Sequence, residues 1–239
     1  MSRDAAALAG DLRAALEARS DPAYREGSQR VAPTRLEVLG VRTPDLRVTA
    51  RAWRRANRDA DAASVRFLVD ALWAAPSREE RALGLEILRL HPELLASLPA
   101  GWHRARAADL DDWALCDLLG TAIVGPWVLA DPPARMELLY ELVAGDGVWR
   151  PRLALVATVP ITRSGAVAPD FALSLLDRVL GRREPMIVKA VSWALREVAK
   201  KERRRASLYL RDRGDVLPAV VRREAGNVIR TGRKSGRAD

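Results

Sequence analysis

Helical periodicity runs through almost the whole chain, and no segment shows the strict alternation of an exposed β-strand. Apolar residues recur every three or four positions, as in amphipathic helices. Proline, glycine and aspartate interrupt this pattern in segments such as RTPDL, APSREE and SGAVAPD. The pattern predicts an all-α fold, with helices over about 3–19, 45–57, 60–74, 78–90, 109–124, 133–144, 149–159, 170–180, 185–201, 203–212 and 217–230.

Short loops join these predicted helices into successive pairs. Pairs that stack side by side form an α-solenoid, whose inner helices line a concave surface. The chain has 239 residues, enough for one large domain with a real core. We therefore predict a single solenoid domain over residues 1–230, followed by a disordered basic tail over 231–239, and a frayed start at MSRD.

The charge balance favours a polyanionic partner. Lysine and arginine number 40 against 31 aspartates and glutamates, which gives a net charge of +9. Much of the excess lies beyond Arg178, so the predicted binding surface is concentrated in the C-terminal part of the chain.

Several classes of protein are disfavoured by what the sequence contains. The single cysteine, Cys116, excludes an internal disulfide framework, and its place near the apolar arc of a helix predicts a buried thiol. Two histidines and no CxxC, HExxH, GxGxxG or P-loop pattern argue against a metal, dinucleotide or nucleotide enzyme, so we expect no cofactor and no metal. Without an uncharged apolar run or an apolar leader, we expect no membrane span and a cytoplasmic, nucleoid-associated protein.

The segment LDDWALCDLLGTAIVGPW, residues 110–127, places an aromatic and a carboxylate on one ridge. At 100° per residue, the arc that would face a core holds Leu115, Leu118, Leu119, Ala122 and Ile123. Trp113 and Asp117 fall on the opposite side, together with Gly120, Thr121 and Val124. Asp109 or Asp111 could cap the helix. An ordinary solvated Asp beside a packed Trp is the alternative.

A second tryptophan lies on a cationic ridge in REPMIVKAVSWALREVAKKERRR, where the predicted helix starts at Pro185. Its core stripe comprises Ile187, Val191, Ala194 and Val198. Trp193 projects away from that stripe, and the wheel places Lys189, Arg196 and Lys200 around it. Cations for phosphates beside a flat aromatic face are typical of a nucleic-acid surface. A Trp covered by Arg stems or by a partner helix is the alternative.

With these motifs in order, the chain resembles the AlkD family of bacterial alkylpurine DNA glycosylases, which are built from HEAT-like repeats. Four segments carry the resemblance: LGVRTPDLR, DWALCD, VWRPRLAL with Trp149 and Arg152, and VKAVSWALREVAK. The segment DPAYREGSQRVAPTRLEV departs from the family pattern, with Pro33 and Thr34 where a continuous helix bearing aromatic residues is expected.

The resemblance implies a concave basic face that clamps double-stranded DNA, with Asp117 as the catalytic carboxylate and Trp113 and Trp193 flanking the lesion nucleotide. It implies that Arg152 holds a nearby phosphate and makes Arg196 a second candidate, while Lys189 and Lys200 add cations. The expected activity is hydrolysis of the N-glycosidic bond of cationic N3- or N7-alkylated purines by a monofunctional monomer without base flipping. Acceptance of bulky adducts would suit general repair or self-resistance to a DNA-alkylating compound.

Two other classes of function remain open at the level of sequence. A non-catalytic relative could recognise damaged or branched DNA through the same basic cleft, and a base-release assay would distinguish it. A protein-binding HEAT scaffold would show an apolar or mixed-charge concave face, which the net charge of +9 disfavours.

Overall fold

The computed structural model describes residues 5–236, and the chain packs as two compact units. The first runs up to Pro99 and includes Asp111–Leu118; the second comprises Ala100–Leu110 and the chain from Leu119 onward. Over residues 5–236 no strand forms, and the isolated bridge between Glu37 and Ser77 is the sole β-type pairing described. The predicted all-α fold of successive helices is confirmed.

The domain boundaries remain a prediction. The segment predicted as a tail begins at the end of the last helix, and residues 232–236 follow that helix as turns and bends. MSRD and residues 237–239 lie outside the described part of the chain.

The first unit is a set of packed helices around leucine-rich faces. Its fully buried side chains include Leu68, Leu72 and Leu83. The helices are α1 (Ala5–Glu17), α2 (Pro22–Val31), α3 (Thr43–Ala56), α4 (Ala62–Ala74), α5 (Arg78–Leu88), α6 (Pro92–Ser97) and the start of α8 (Trp113–Leu119). Helix α5 packs on α3 and α4, and α1 packs on α4, so α4 and α5 form the centre of this unit.

The second unit is centred on two long helices. Its elements are α7 (Ala100–Ala108), a π-helical segment (Gly120–Val124), α9 (Gly125–Ala130), α10 (Pro132–Val143), α11 (Trp149–Ser164), α12 (Pro169–Asp177), α13 (Pro185–Lys201), α14 (Arg203–Arg213) and α15 (Ala219–Thr231). Helix α13 packs between α11 and α15. The predicted core stripe of α13 is confirmed, because Ile187, Val191, Ala194 and Val198 are all buried.

The turn before α3 requires a glycine at position 40. Gly40 has φ +85°, and a Cβ there would lie 2.6 Å from the backbone oxygen of Asp21. The buried carboxylate of Glu79 accepts hydrogen bonds from the backbone N–H groups of Leu39 (3.0 Å) and Gly40 (3.1 Å). The start of the LGVRTPDLR segment is therefore held in place by the Glu79 carboxylate within the first unit.

The helix that carries Trp113 begins later than predicted and has a different cap. Neither Asp109 nor Asp111 caps it; Asp112 Oδ1 accepts from the N–H groups of Ala114 (2.7 Å) and Leu115 (3.0 Å). Asp111 is engaged elsewhere, by Thr34 and Arg35. The prediction missed this because the side-chain partners of Asp111 lie far away in sequence.

The same helix continues through the predicted break at Gly125-Pro126. The N–H of Gly125 donates to the oxygen of Gly120, five residues earlier, so a π-helical turn replaces the α-helical pattern where Pro126 lacks an N–H. A Cβ at Gly120 would collide with Val156, and one at Gly125 would collide with Pro160. Both glycines thus allow this helix to approach α11 closely.

The π-helical turn also corrects the predicted wheel. A π turn holds more residues than an α turn, so positions beyond Leu119 fall behind a constant 100° rotation. Val124 is fully buried and Gly120 is buried too, although both were predicted on the ridge with Asp117. By length and composition alone, the helix from Trp113 to Ala130 could cross a membrane, and half of it is buried inside the protein.

Four described helices lie outside the predicted ranges: α9, which continues the helix past Gly125, and three others. Helices α2, α6 and α7 fall in segments whose proline, glycine and charged residues suggested loops. In α2 and α6 the proline occupies the first turn, where its missing N–H costs nothing. Helix α2 has no buried residue, so it lacks the apolar stripe on which the prediction depended.

Candidate functional site

Trp113 is the first residue of α8 and is held by its indole nitrogen. Its Nε1–H donates to the backbone oxygen of Val31 at 2.9 Å, and the side chain is half-buried. Val31 is the last residue of α2, where helix carbonyls lack partners within the helix. The bond therefore caps α2 and fixes the orientation of the Trp113 ring in the first unit.

The end of α2 is held by further contacts. Arg78, which is buried, donates from Nη1 to the oxygen of Ala32 at 3.2 Å and from Nη2 to the hydroxyl of Ser28. Asp111 accepts from the Thr34 hydroxyl at 2.7 Å and from the N–H of Arg35 at 2.6 Å. The segment with Pro33 and Thr34, which departs from the family pattern, thus anchors the residues that precede α8.

The carboxyl of Asp111 stays ionised despite its burial. Burial opposes ionisation, but the backbone N–H of Arg35 and the Thr34 hydroxyl outweigh it and hold the pKa of Asp111 below its usual value. In contrast, burial raises the pKa of Asp112, whose Oδ2 has no hydrogen-bond partner.

Asp117 lies one turn after Trp113 on α8 and is half-buried. Residues four apart on an α-helix are neighbours on its surface, so the structure keeps the predicted ridge for this pair. Cys116 beside it is completely buried, as predicted, and Leu115 is 1% exposed. The buried face of α8 therefore fixes the helix that presents Asp117 and Trp113.

The second unit contains a cleft of about 450 Å³ built from α11, α13, α15 and the turn after α15. It brings together four of the predicted residues, Arg152, Lys189, Trp193 and Arg196. The other lining residues are Pro185, Val188, Ser192, Val220, Glu224 and Lys234. Four cationic side chains and a tryptophan face thus share one cavity with one carboxylate.

The two arginines of the cleft are held in different ways. Arg152 is 5% exposed, and its Nη1 donates to the backbone oxygen of Met186 at 2.7 Å. Arg196 is half-buried; its Nε donates to the oxygen of Ser192 at 3.2 Å and lies 3.6 Å from Glu224 Oε2. Both guanidinium groups are therefore positioned before any ligand binds.

The two predicted lysines differ in their surroundings. Lys189 is exposed and lines the cleft. Lys200 is not among the residues that line the cleft, and its Nζ donates to Glu197 Oε1 at 2.8 Å. Glu197 also accepts from Arg163, at 2.9 Å. Lys200 is thus engaged in a local ion pair, three residues from its partner.

Glu224 and Lys234 also line the cleft, although the sequence pattern placed neither of them there. Glu224 Oε2 accepts from the Ser192 hydroxyl at 2.6 Å, and Oε1 lies 3.1 Å from Lys234 Nζ. Glu224 could have been suggested by its place on the polar face of α15. Nothing in the sequence indicated that Lys234, in the predicted tail, would lie at the cleft. Over the described residues 5–236 no group of three His, Cys, Asp or Glu side chains could hold a metal.

Comparison with known protein families identifies the family of this chain. The family model described as DNA alkylation repair enzyme matches residues 12–229. The chain belongs to the DNA alkylation repair enzyme family. This membership indicates a role in DNA alkylation repair, with DNA as a partner.

The fold of this family member also matches a solved structure. A chain described as a predicted DNA alkylation repair enzyme from Enterococcus faecalis superposes with a TM-score of 0.71 at 15% identity. The match covers 87% of this chain and 95% of that chain, and at this identity it shows the fold alone. A search of curated proteins finds no match.

Proposed function

We propose that this family member is a monofunctional DNA glycosylase that releases N3- and N7-alkylated purines from double-stranded DNA. The observation that carries the proposal is the pair on α8: a half-buried carboxylate, Asp117, one turn from Trp113, whose ring is fixed by its bond to Val31. This pair occurs in a chain of the DNA alkylation repair enzyme family with a net charge of +9.

The proposed reaction needs few catalytic groups. Alkylation at N3 or N7 gives the purine a positive charge and weakens its bond to C1′ of deoxyribose. When that bond breaks, its electron pair stays with the purine, which leaves neutral, so no general acid is needed. Water then adds to C1′ and loses a proton, leaving an abasic site.

Asp117 is the group we assign to this chemistry. Its carboxylate stabilises the positive charge that develops on the sugar and orients the attacking water. Two unit charges 4 Å apart interact by about 4 kcal/mol at an effective dielectric constant of 20. That corresponds to about three decades in rate, so one carboxylate is sufficient. The face of Trp113 adds roughly 0.5–2 kcal/mol toward a cationic nucleoside.

The cleft of the second unit is the part that we assign to the DNA backbone. Arg152 and Arg196 are both held by main-chain oxygens, which lowers the entropy lost when a phosphate binds. Trp193 supplies a flat face beside them for a sugar or base, and Lys189 adds an exposed cation. We do not assign Lys200 a phosphate contact of equal strength because Glu197 already pairs with it.

Substrate breadth follows from two features of the proposed mechanism: it needs no general acid, and it leaves the base in the stack. We propose that the base stays stacked while the enzyme works from the sugar side, so adduct size limits the reaction less than bond lability does. Bulky cationic purine adducts are then released along with methyl adducts, whereas hypoxanthine, a neutral lesion, is not.

The proposal is tested by single-turnover release of free base from duplexes that carry N7-methylguanine, a bulky N3-adenine adduct or hypoxanthine. Release of both cationic bases and retention of hypoxanthine is the expected result. Efficient release of hypoxanthine would contradict the mechanism, and refusal of the bulky adduct would contradict the stacked geometry. DNA binding without release of any base would identify a non-catalytic DNA-binding relative.

A further inference from the structure

Glu224 lies among the cations of the second-unit cleft, where a phosphate would bind. Its Oε2 is 3.6 Å from Arg196 Nε and its Oε1 is 3.1 Å from Lys234 Nζ. The carboxylate side chain is 13% exposed, so these pairs are shielded from water more than surface pairs are. One acidic side chain therefore engages two of the four cations of the cleft.

The carboxylate is built into the cleft by a third contact. The hydroxyl of Ser192, itself buried, donates to Oε2 at 2.6 Å. Burial of Glu224 opposes its ionisation, but the Ser192 hydroxyl and the Lys234 ammonium outweigh it and hold the pKa of the carboxyl below its usual value. Glu224 is thus negatively charged at neutral pH.

The turn after α15 delivers Lys234 to this carboxylate. Gly232 takes the left-handed conformation, with φ 74°, and ends the helix. Asn227 then donates from Nδ2 to the backbone oxygen of Lys234 at 2.9 Å, and the backbone N–H of Arg233 donates to the hydroxyl oxygen of Thr231 at 3.2 Å. Lys234 is held at the cleft by both its main chain and its side chain.

We infer that Glu224 is an affinity-limiting residue, an internal anion that competes with DNA phosphate for Arg196 and Lys234. This inference rests on the proposed DNA-binding role of the cleft. Carboxylates and phosphates form the same charge-assisted hydrogen bonds with guanidinium and ammonium groups. Binding of a phosphodiester therefore exchanges these ion pairs for new ones and leaves Glu224 beside a second negative charge.

The consequence is weaker sequence-independent binding, so the protein leaves undamaged DNA more readily. Any duplex offers phosphates, so a cleft with four unopposed cations would bind undamaged sites, which vastly outnumber lesions. An internal carboxylate weakens this sequence-independent contribution without touching the groups that recognise the lesion. The same inference makes Lys234 a further phosphate-binding residue, although its segment carries no catalytic motif.

The test uses Glu224→Gln, which retains the size of the side chain and an oxygen that can accept from Ser192. Affinity for an undamaged duplex is measured across a series of salt concentrations. The matched control is Glu141→Gln, which makes the same charge change and breaks an ion pair to Arg104 in the same unit. Thermal unfolding of each variant checks that it is folded.

We expect Glu224→Gln to bind the undamaged duplex about five- to tenfold more tightly at low salt, with a log–log salt slope steeper by about 1. Glu141→Gln should change affinity by less than about twofold. In an Arg196→Ala, Lys234→Ala background the gain from Glu224→Gln should disappear.

Unchanged or weaker binding by folded Glu224→Gln overturns the inference, as does an equal gain in Glu141→Gln or an undiminished gain in the double-alanine background. Failure of the unaltered protein to bind any duplex at low salt overturns the proposed function and this inference together. A protein that binds DNA normally but is insensitive to Glu224→Gln overturns the inference alone.

Discussion

The indole N–H of Trp113 caps the C-terminal end of α2 by donating to the backbone oxygen of Val31 at 2.9 Å. This bond joins residues that are 82 positions apart in the sequence. An aromatic side chain that appeared to be free for a ligand is therefore also a structural element of the first unit. Its polar edge is engaged by the protein, and its ring face is what remains for a ligand.

The first prediction separates these two roles of Trp113. Trp113→Phe removes the hydrogen bond but keeps an aromatic face, so the free energy of unfolding should fall by about 1 kcal/mol. Base release should fall less than in Trp113→Ala, because the alanine variant loses the face as well. Urea unfolding and single-turnover release measure the two effects. Equal stability of Trp113→Phe and the unaltered protein would show that the bond to Val31 contributes nothing.

The second prediction concerns the arginines of the cleft. Arg152→Ala and Arg196→Ala should each weaken binding to damaged and undamaged duplex alike, and each should reduce the magnitude of the log–log salt slope by roughly 1. Lys200→Ala should reduce it less, because Glu197 already pairs with Lys200. Titrations at several salt concentrations provide the slopes. If both arginine variants kept the slope of the unaltered protein, these residues would not contact phosphates.

The third prediction concerns His103, which is completely buried in the second unit. Its ring lies 4.3 Å from that of Trp127 and 5.2 Å from that of Trp102. Burial, assisted by the charges of Arg106 and Arg135, lowers the pKa of His103 to about 3. In the unfolded chain His103 has its ordinary pKa of 6.5, so between these two values the unfolded chain binds a proton that the folded protein does not.

Stability should therefore fall as the pH drops from about 6.5 toward 3, by roughly 2 kcal/mol at pH 5 from this residue. His103→Phe retains a ring between the two tryptophans and should remove that share of the pH dependence. Urea unfolding at pH 7, 6 and 5 compares the two proteins. Parallel losses of stability in both would show that His103 is not responsible.

Much of the second unit could be predicted from the sequence, because the helical periodicity and the tertiary packing indicate the same helices there. Helix α13 has the predicted bounds of 185 to 201, and its four predicted core positions are buried. A strong apolar stripe, a proline in the first turn and a basic last turn all indicate the same helix. The grouping of Arg152, Lys189, Trp193 and Arg196 in one cleft also agrees with the residues singled out from the sequence.

The features that were missed depend on contacts between distant residues. The π-helical turn before Pro126 is an adjustment of a helix packed closely on α11, and a wheel with constant rotation misplaces Val124 and Gly120. Asp111 had the residue type of a cap but binds Thr34 and Arg35, 77 and 76 positions away. Glu224 could not be assigned because its partners come from α13 and from the turn after α15.

The central claim is that Asp117 carries the chemistry, and the most direct test is release of N7-methylguanine from duplex DNA by Asp117→Asn. The change is nearly isosteric and removes only the charge, which acts mainly on the transition state. Asp59→Asn, at an exposed turn of the same unit, controls for the change in net charge. We predict that Asp117→Asn keeps duplex affinity within a few-fold but releases base about two to three decades more slowly, whereas Asp59→Asn matches the unaltered protein. Release by Asp117→Asn at the unaltered rate would contradict the account, because another residue would then have to be the catalytic carboxylate.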